Sequence, residues 1–291
     1  MWSHRLVAGL LIPLSMAAPA RAGEWRGGGK LLLATGVTTI EGAAGGGLAT
    51  WALIAGNETR NGIGGSAHVT QVQLDDFGLT TFGAAIGAFD RIEVSYARQR
   101  FDTRAAGATL GLGRGFAFSQ DIYGAKLRLV GDAVYDQDRI LPQIAVGVQH
   151  KRGNRDGLVR ALGAKSASGT DFYLAATKVL LDRSLVVDAT VRMTKANQTG
   201  LLGFGGDRHG GYRAQFEGSA GMLVSRRLLL GAEYRTRPDN LGFAKEDDAF
   251  DLFAAWAVTR NVAVTAAYAD LGSIATVSGQ RGLYLSLQTS F

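Results

Sequence analysis

Charged residues recur at alternate positions along this chain, set between apolar neighbours. They include Glu93, Lys126, Arg128, Asp188, Arg192, Arg213, Glu217, Glu233, Arg235 and Asp251. Period-two spacing puts such residues on one face of an extended strand and the apolar ones on the other. Opposed charges on one face have two uses. They could line a hydrated constriction that orients small polar solutes, or form cross-strand ion pairs that fill an interior.

Other groupings suggest less. Gly42 to Gly47 and Gly111 to Gly115 look superficially like phosphate cradles, but neither ends in Lys-Ser/Thr or opens a helix. A loose backbone or close packing suits them better. The stretch Gly42 to Gly65 could instead fold inward as a plug. Gly203 to His209, with Asp239, Glu246, Asp247 and Asp248 on a later connection, could form an acidic rim for a hard cation. A solvated loop is the commoner meaning, and no metal ligands are assigned. His209 near Asp207 hints at a hydrolytic dyad. No Gly-x-Ser-x-Gly elbow accompanies it, since Gly218-Ser219-Ala220-Gly221 has the wrong spacing. His68 and His150 fall in separate strands. No catalytic residue and no cofactor are assigned, and the chain is not read as an enzyme.

The elements that must position these residues are strands. The closing stretch is the clearest. Leu283, Leu285, Leu287, Thr289 and Phe291 share one face, with Tyr284, Ser286, Gln288 and Ser290 on the other. Five earlier stretches, starting near Leu185, Tyr212, Leu228, Phe250 and Val262, alternate in the same way, and their apolar faces carry no charge. An Arg or Lys at a bilayer midplane costs roughly 2–4 kcal/mol, which explains such segregation. Tight connections at Phe89-Asp90-Arg91, Leu181-Asp182-Arg183, Ser225-Arg226-Arg227 and Thr259-Arg260-Asn261 alternate with long ones, such as 103–119 and 196–211. Short periplasmic turns and long outer loops give this rhythm. Tyr212, Tyr234, Phe250 and Tyr268 would then form an outer aromatic belt, with Trp256 and Phe291 at the inner one.

Together these features predict an all-β protein, a transmembrane antiparallel up-and-down β-barrel of about fourteen strands, with twelve as the alternative. The doubt lies before Phe89, where Leu31 to Val37 and Leu48 to Ala55 are weak strand candidates. A soluble two-sheet sandwich would alternate too, but the N-terminus and the terminal aromatic favour the barrel.

Met1 to Ala22 has a positive start, a short apolar core and Ala20-Arg21-Ala22 at its end, and reads as a secretory signal peptide. Residues 23–291 would form the barrel, exported to the outer membrane. The 291 residues include 41 Gly, 4 Pro and no Cys, so no disulfide framework exists. The formal charge of +6 is scattered rather than clustered, which gives nucleic-acid binding little support.

The final strand, ending on Phe291, resembles the closing strand of Gram-negative outer-membrane barrels. The resemblance implies an assembly signal at Leu283, Leu285, Leu287 and Phe291, read by the barrel assembly machinery, and contact with outer-membrane lipid. Four stretches carry a narrower likeness: Ile40 to Gly47, Leu112 to Phe116, Leu202 to Asp207 and Arg237 to Phe243. Through them nearly the whole mature chain resembles an uncharacterised, porin-like family of such proteins, known as a domain of unknown function. That resemblance implies fold and location but no assigned activity. The expected role is a channel for passive passage of small polar solutes. The alternatives are a non-conducting barrel for structure, adhesion or docking and, third, a surface hydrolase.

Overall fold

Twelve antiparallel strands close on themselves in a barrel. The structure is a computed structural model that describes Lys30, Leu33 and residues 37–291. The signal peptide expected at Met1 to Ala22 lies outside the described residues, as does most of the weak candidate Leu31 to Val37.

Two short strands come first, β1 (Val37–Thr38) and β2 (Ala44–Gly45), paired only with each other. The barrel strands follow: β3 (Ile63–Leu74), β4 (Gly78–Ala88), β5 (Ile92–Asp102), β6 (Ala117–Val130), β7 (Gln143–Gly153) and β8 (Ser168–Leu180). Then come β9 (Leu185–Thr194), β10 (Arg213–Ser225), β11 (Leu228–Arg235), β12 (Ala249–Ala257), β13 (Val262–Asp270) and β14 (Arg281–Ser290). Each strand pairs with its neighbour in sequence, and β14 pairs with β3 through registers such as Leu285 with Gln71.

The barrel therefore has the smaller of the two expected strand counts. The difference is physical. Leu48 to Ala55, a candidate strand, is not in the wall; it lies wholly buried inside it with the rest of residues 37–55. Its apolar run reflects enclosure by protein, which a short run alone cannot distinguish from a strand.

The apolar faces point outward, as a barrel in hydrocarbon requires. Leu283, Leu285 and Leu287 are 65%, 57% and 50% exposed, while Tyr284 and Ser286 between them are buried. Tyr212, Tyr234, Phe250 and Tyr268 stand outward near one rim, and Trp256 stands outward near the other. The four tight connections share that second rim with Phe291. The connections 103–116, 154–167, 195–212, 236–248 and 271–280 share the first. One connection on the tight rim, 131–142, is longer than the rhythm suggested. Two helices, α1 (Ala106–Thr109) and α2 (Asp156–Ala161), sit within the long connections.

A charged girdle closed around an inner segment

The candidate site is the middle of the lumen, where the wall meets residues 37–55. Alternation brings Lys151 of β7, Asp171 of β8, Arg192 of β9, Glu217 of β10 and Arg235 of β11 to the inside. The inner segment supplies Glu41. Arg192 Nε lies 2.5 Å from Glu217 Oε1 and 3.7 Å, through Nη1, from Asp171 Oδ2. Lys151 lies 2.8 Å from Asp171 and also pairs with Glu41. Arg235 Nη1 lies 3.0 Å from Glu41 Oε2. Three cations thus face three carboxylates, and the set is neutral. Buried charges need this balance, because removing one partner leaves an uncompensated ion at about 3–5 kcal/mol. Burial raises the Glu41 pKa, but Arg235, Lys151 and Arg192 more than offset it and hold the carboxyl well below its ordinary range.

A second set of wall residues takes up the segment's backbone. Glu233 accepts N–H bonds from Gly47 at 2.5 Å, Leu48 at 2.7 Å and Ala49 at 3.4 Å. Glu217 accepts from Thr50, and Glu93 accepts from Ala44 and Ala55. Lys126 donates to the carbonyls of Ala44 and Leu53 and pairs with Glu93 at 3.2 Å. Thr190 donates to Thr50 O, and Thr177 accepts from Ala52 N. Gln99 and Gln143 donate to Ile40 O and Ala52 O. An irregular backbone inside a barrel must find partners somewhere, and here the wall side chains provide them.

The glycine run explains itself at this point. A Cβ on Gly46 would lie 1.6 Å from Glu233 Oε1, so any other residue there would push the carboxyl group out of its cradle. Successive N–H groups around a carboxylate make an anion-binding concavity of the kind that phosphate loops use. The run does cradle a carboxyl group, and that group is a side chain of the same protein.

The residues expected to line a pore divide into three groups. Glu93, Lys126, Arg192, Glu217, Glu233 and Arg235 are buried and in contact with the inner segment. Asp188 and Asp251 are buried as well; Asp188 accepts from Thr177 at 2.5 Å, and Asp251 sits opposite Glu233 in the strand register. Arg128 and Arg213 lie elsewhere. Arg128 is at the tight-turn rim, where it pairs with Asp90 and, at 3.1 Å, with Asp132. Arg213 begins β10 at the loop rim and is exposed. Leu283, Leu285, Leu287 and Phe291 all stand outward. Sequence reasoning missed Glu41, Lys151 and Asp171. Lys151 continues the inward row of Gln149, and Asp171 precedes Tyr173 in another, so the same period would have found both.

The acidic rim does not converge. Asp207 accepts the Gly242 N–H at 2.7 Å, Arg208 pairs with Asp239, and Asp247 binds Ser273. Glu246 is buried and accepts from the Gln198 N–H at 2.5 Å; burial raises its pKa to about 7. Among the described residues no cluster of His, Asp and Glu could hold a metal ion. His209 is exposed, and its backbone amide donates to Asn240 O.

Solved barrels share the architecture. A structure titled "KdgM porin" is similar at a TM-score of 0.50 and 11% identity, covering 78% of this chain and 99% of that one. A NanC porin is similar at 0.50 and 6%, covering 78% and 100%. Outer membrane phospholipase A from Escherichia coli is similar at 0.43 and 9%, covering 78% and 96%. The likeness to the two porins concerns the fold. No curated protein matches the chain. The family model described as "Protein of unknown function (DUF3034)" matches residues 34–288, nearly the whole described barrel and its inner segment, and the chain belongs to that family.

Proposed function

We propose that this chain is an outer-membrane barrel of porin type held shut by its own N-terminal segment, and that it passes small polar solutes when the segment shifts. One observation carries the reading: residues 37–55 are buried within the lumen and bound to side chains from the wall. The outward apolar rows support the membrane setting. The wall behind the segment is charged and polar, so displacement would uncover Lys126, Lys151, Arg192 and Arg235 beside their carboxylates. Such a surface favours hydrated solutes.

The chain has no Cys, so an engineered disulfide has no competitor. Ala52 of the segment and Ala145 of β7 fall in one buried cluster, and A52C/A145C is the pair chosen for oxidation. In planar bilayers the oxidised pair should be silent, and reduction should restore rare, small openings. Equal conductance in both states would end the gating reading. Silence in both, and in wild type, would leave the alternative of a barrel that does not conduct.

A further inference from the structure

Above the inner segment, at the loop rim, lies a cavity of about 140 Å³. Its chemistry differs from that of the girdle below. Leu79, Phe101, Phe118 and Ala249 point inward from the strand ends and form its wall. Ile40 and Leu48, on either side of the glycine run, form its floor. Leu112, Leu162, Leu202, Phe243 and Ile274 come from five different loop connections and form its roof. A strand end facing bulk water has no reason to turn leucine and phenylalanine inward. The wall and floor residues, with Leu202 and Ile274, belong to the buried apolar core; Leu112 and Leu162 pack against it half-buried, and Phe243 is exposed at the outer edge. The polar members of the lining are mostly occupied. Arg235 is bound to Glu41 and to Leu48 O, Arg237 Nε donates to Asp247 O at 2.7 Å, and Gln198 Nε2 donates to Ser273 O.

A well-packed core leaves few voids larger than a water molecule. An apolar cavity near 150 Å³ stays dry and takes up benzene, and this one is of that size. We propose that the outer end of the lumen is a binding site for one compact, uncharged apolar molecule of about monoaromatic size. The anionic class is disfavoured because Arg235 and Arg237 are already paired, with Glu41, Glu217 and Glu246 beside them. Leu110 and Leu112 are carried on a connection whose Gly111 and Gly113 have positive φ and open space around them. Because the floor is the inner segment itself, a ligand here binds only while the segment is seated. By mass action it would hold the segment in place.

The test does not depend on whether the barrel conducts. Crystals of the full chain are soaked with iodobenzene or with 4-iodobenzoate, and iodine is located by its anomalous scattering. Wild type should show iodobenzene between Phe101, Phe118 and Leu202, and no iodobenzoate. In detergent solution, fluorobenzene should show a saturable ¹⁹F shift with wild type. A249F, which fills the cavity, should weaken that binding about tenfold or more. Absence of iodine from the cavity in wild type would overturn the proposal, even if A249F fails to fold. Iodobenzoate binding as well as iodobenzene, or a detergent chain threading the cavity, would overturn the ligand class.

Discussion

Arg235 Nη1 donates to Glu41 Oε2 at 3.0 Å across 194 residues of sequence, from the wall to the segment it encloses. Glu41 is the segment's charged contribution to the girdle. Its depressed pKa means that its stabilising effect is present above the ordinary carboxylate range and is lost only as pH falls through the lower folded value. The segment should therefore stay seated into mild acid. Glu41→Gln removes the charge and leaves Lys151 and Arg235 each short of a partner, at about 3–5 kcal/mol. Single-channel records should show longer or more frequent openings, and a protease should cut within residues 37–55. Unchanged records with an intact segment would contradict this role.

The Glu233 cradle predicts a chemical rescue. Glu233→Ala deletes the acceptor for three backbone amides, each worth about 1–3 kcal/mol when left unsatisfied. Amide exchange at Gly47, Leu48 and Ala49 should speed up, while exchange in β14 stays unchanged. Formate, a carboxylate small enough for the vacated space, should slow it again. Acceleration spread over the whole barrel would indicate general unfolding instead.

Glu246 gives a pH dependence of opposite sign. Burial raises its folded pKa from the ordinary 4.5 to about 7. Between those values the folded chain holds a proton that the unfolded chain has released, so stability falls as pH rises from about 4.5 to 7. Glu246→Gln keeps an acceptor for Gln198 and removes that penalty. The variant should match wild type near pH 4 and exceed it above pH 7, by at most about 3 kcal/mol. Heat-modified gel mobility at the two pH values measures the difference, and equal gaps at both would refute it.

Depth in the membrane can be read from β14. Leu285→Arg places a cation on the outward face mid-strand, at roughly 2–4 kcal/mol, whereas Leu283→Arg, nearer the loop rim, should cost about 0–1. The temperature at which the folded barrel loses its compact gel mobility should drop clearly for the first and little for the second. Equal drops would mean that the outward rows do not face hydrocarbon.

Much of this fold was legible because period two is a local signal. The alternation from β9 to β14 gives inward and outward residues directly, and the aromatic rows follow from it. Glu41 was not legible, because its value comes from Lys151, Arg192 and Arg235, which reach it only once the barrel has closed. The glycine run was half legible. Its composition announced a close backbone approach, while the likeness to an anion cradle was superficial on the sequence alone, and nothing near it in sequence pointed to Glu233. The outer cavity was hidden for a related reason. Its wall is apolar at positions where inward residues were expected to be polar, and only the loops above make sense of that.

The inner segment is fastened around the circumference of the tube rather than along one staff of it, to β5, β6, β7, β8, β9, β10, β11 and, through Thr38 and Gln288, to β14. A tug on the residues before it would therefore load these fastenings in parallel, as with a drawn cork, and not one after another, as with a zip. Extraction should need a single large force followed by free travel.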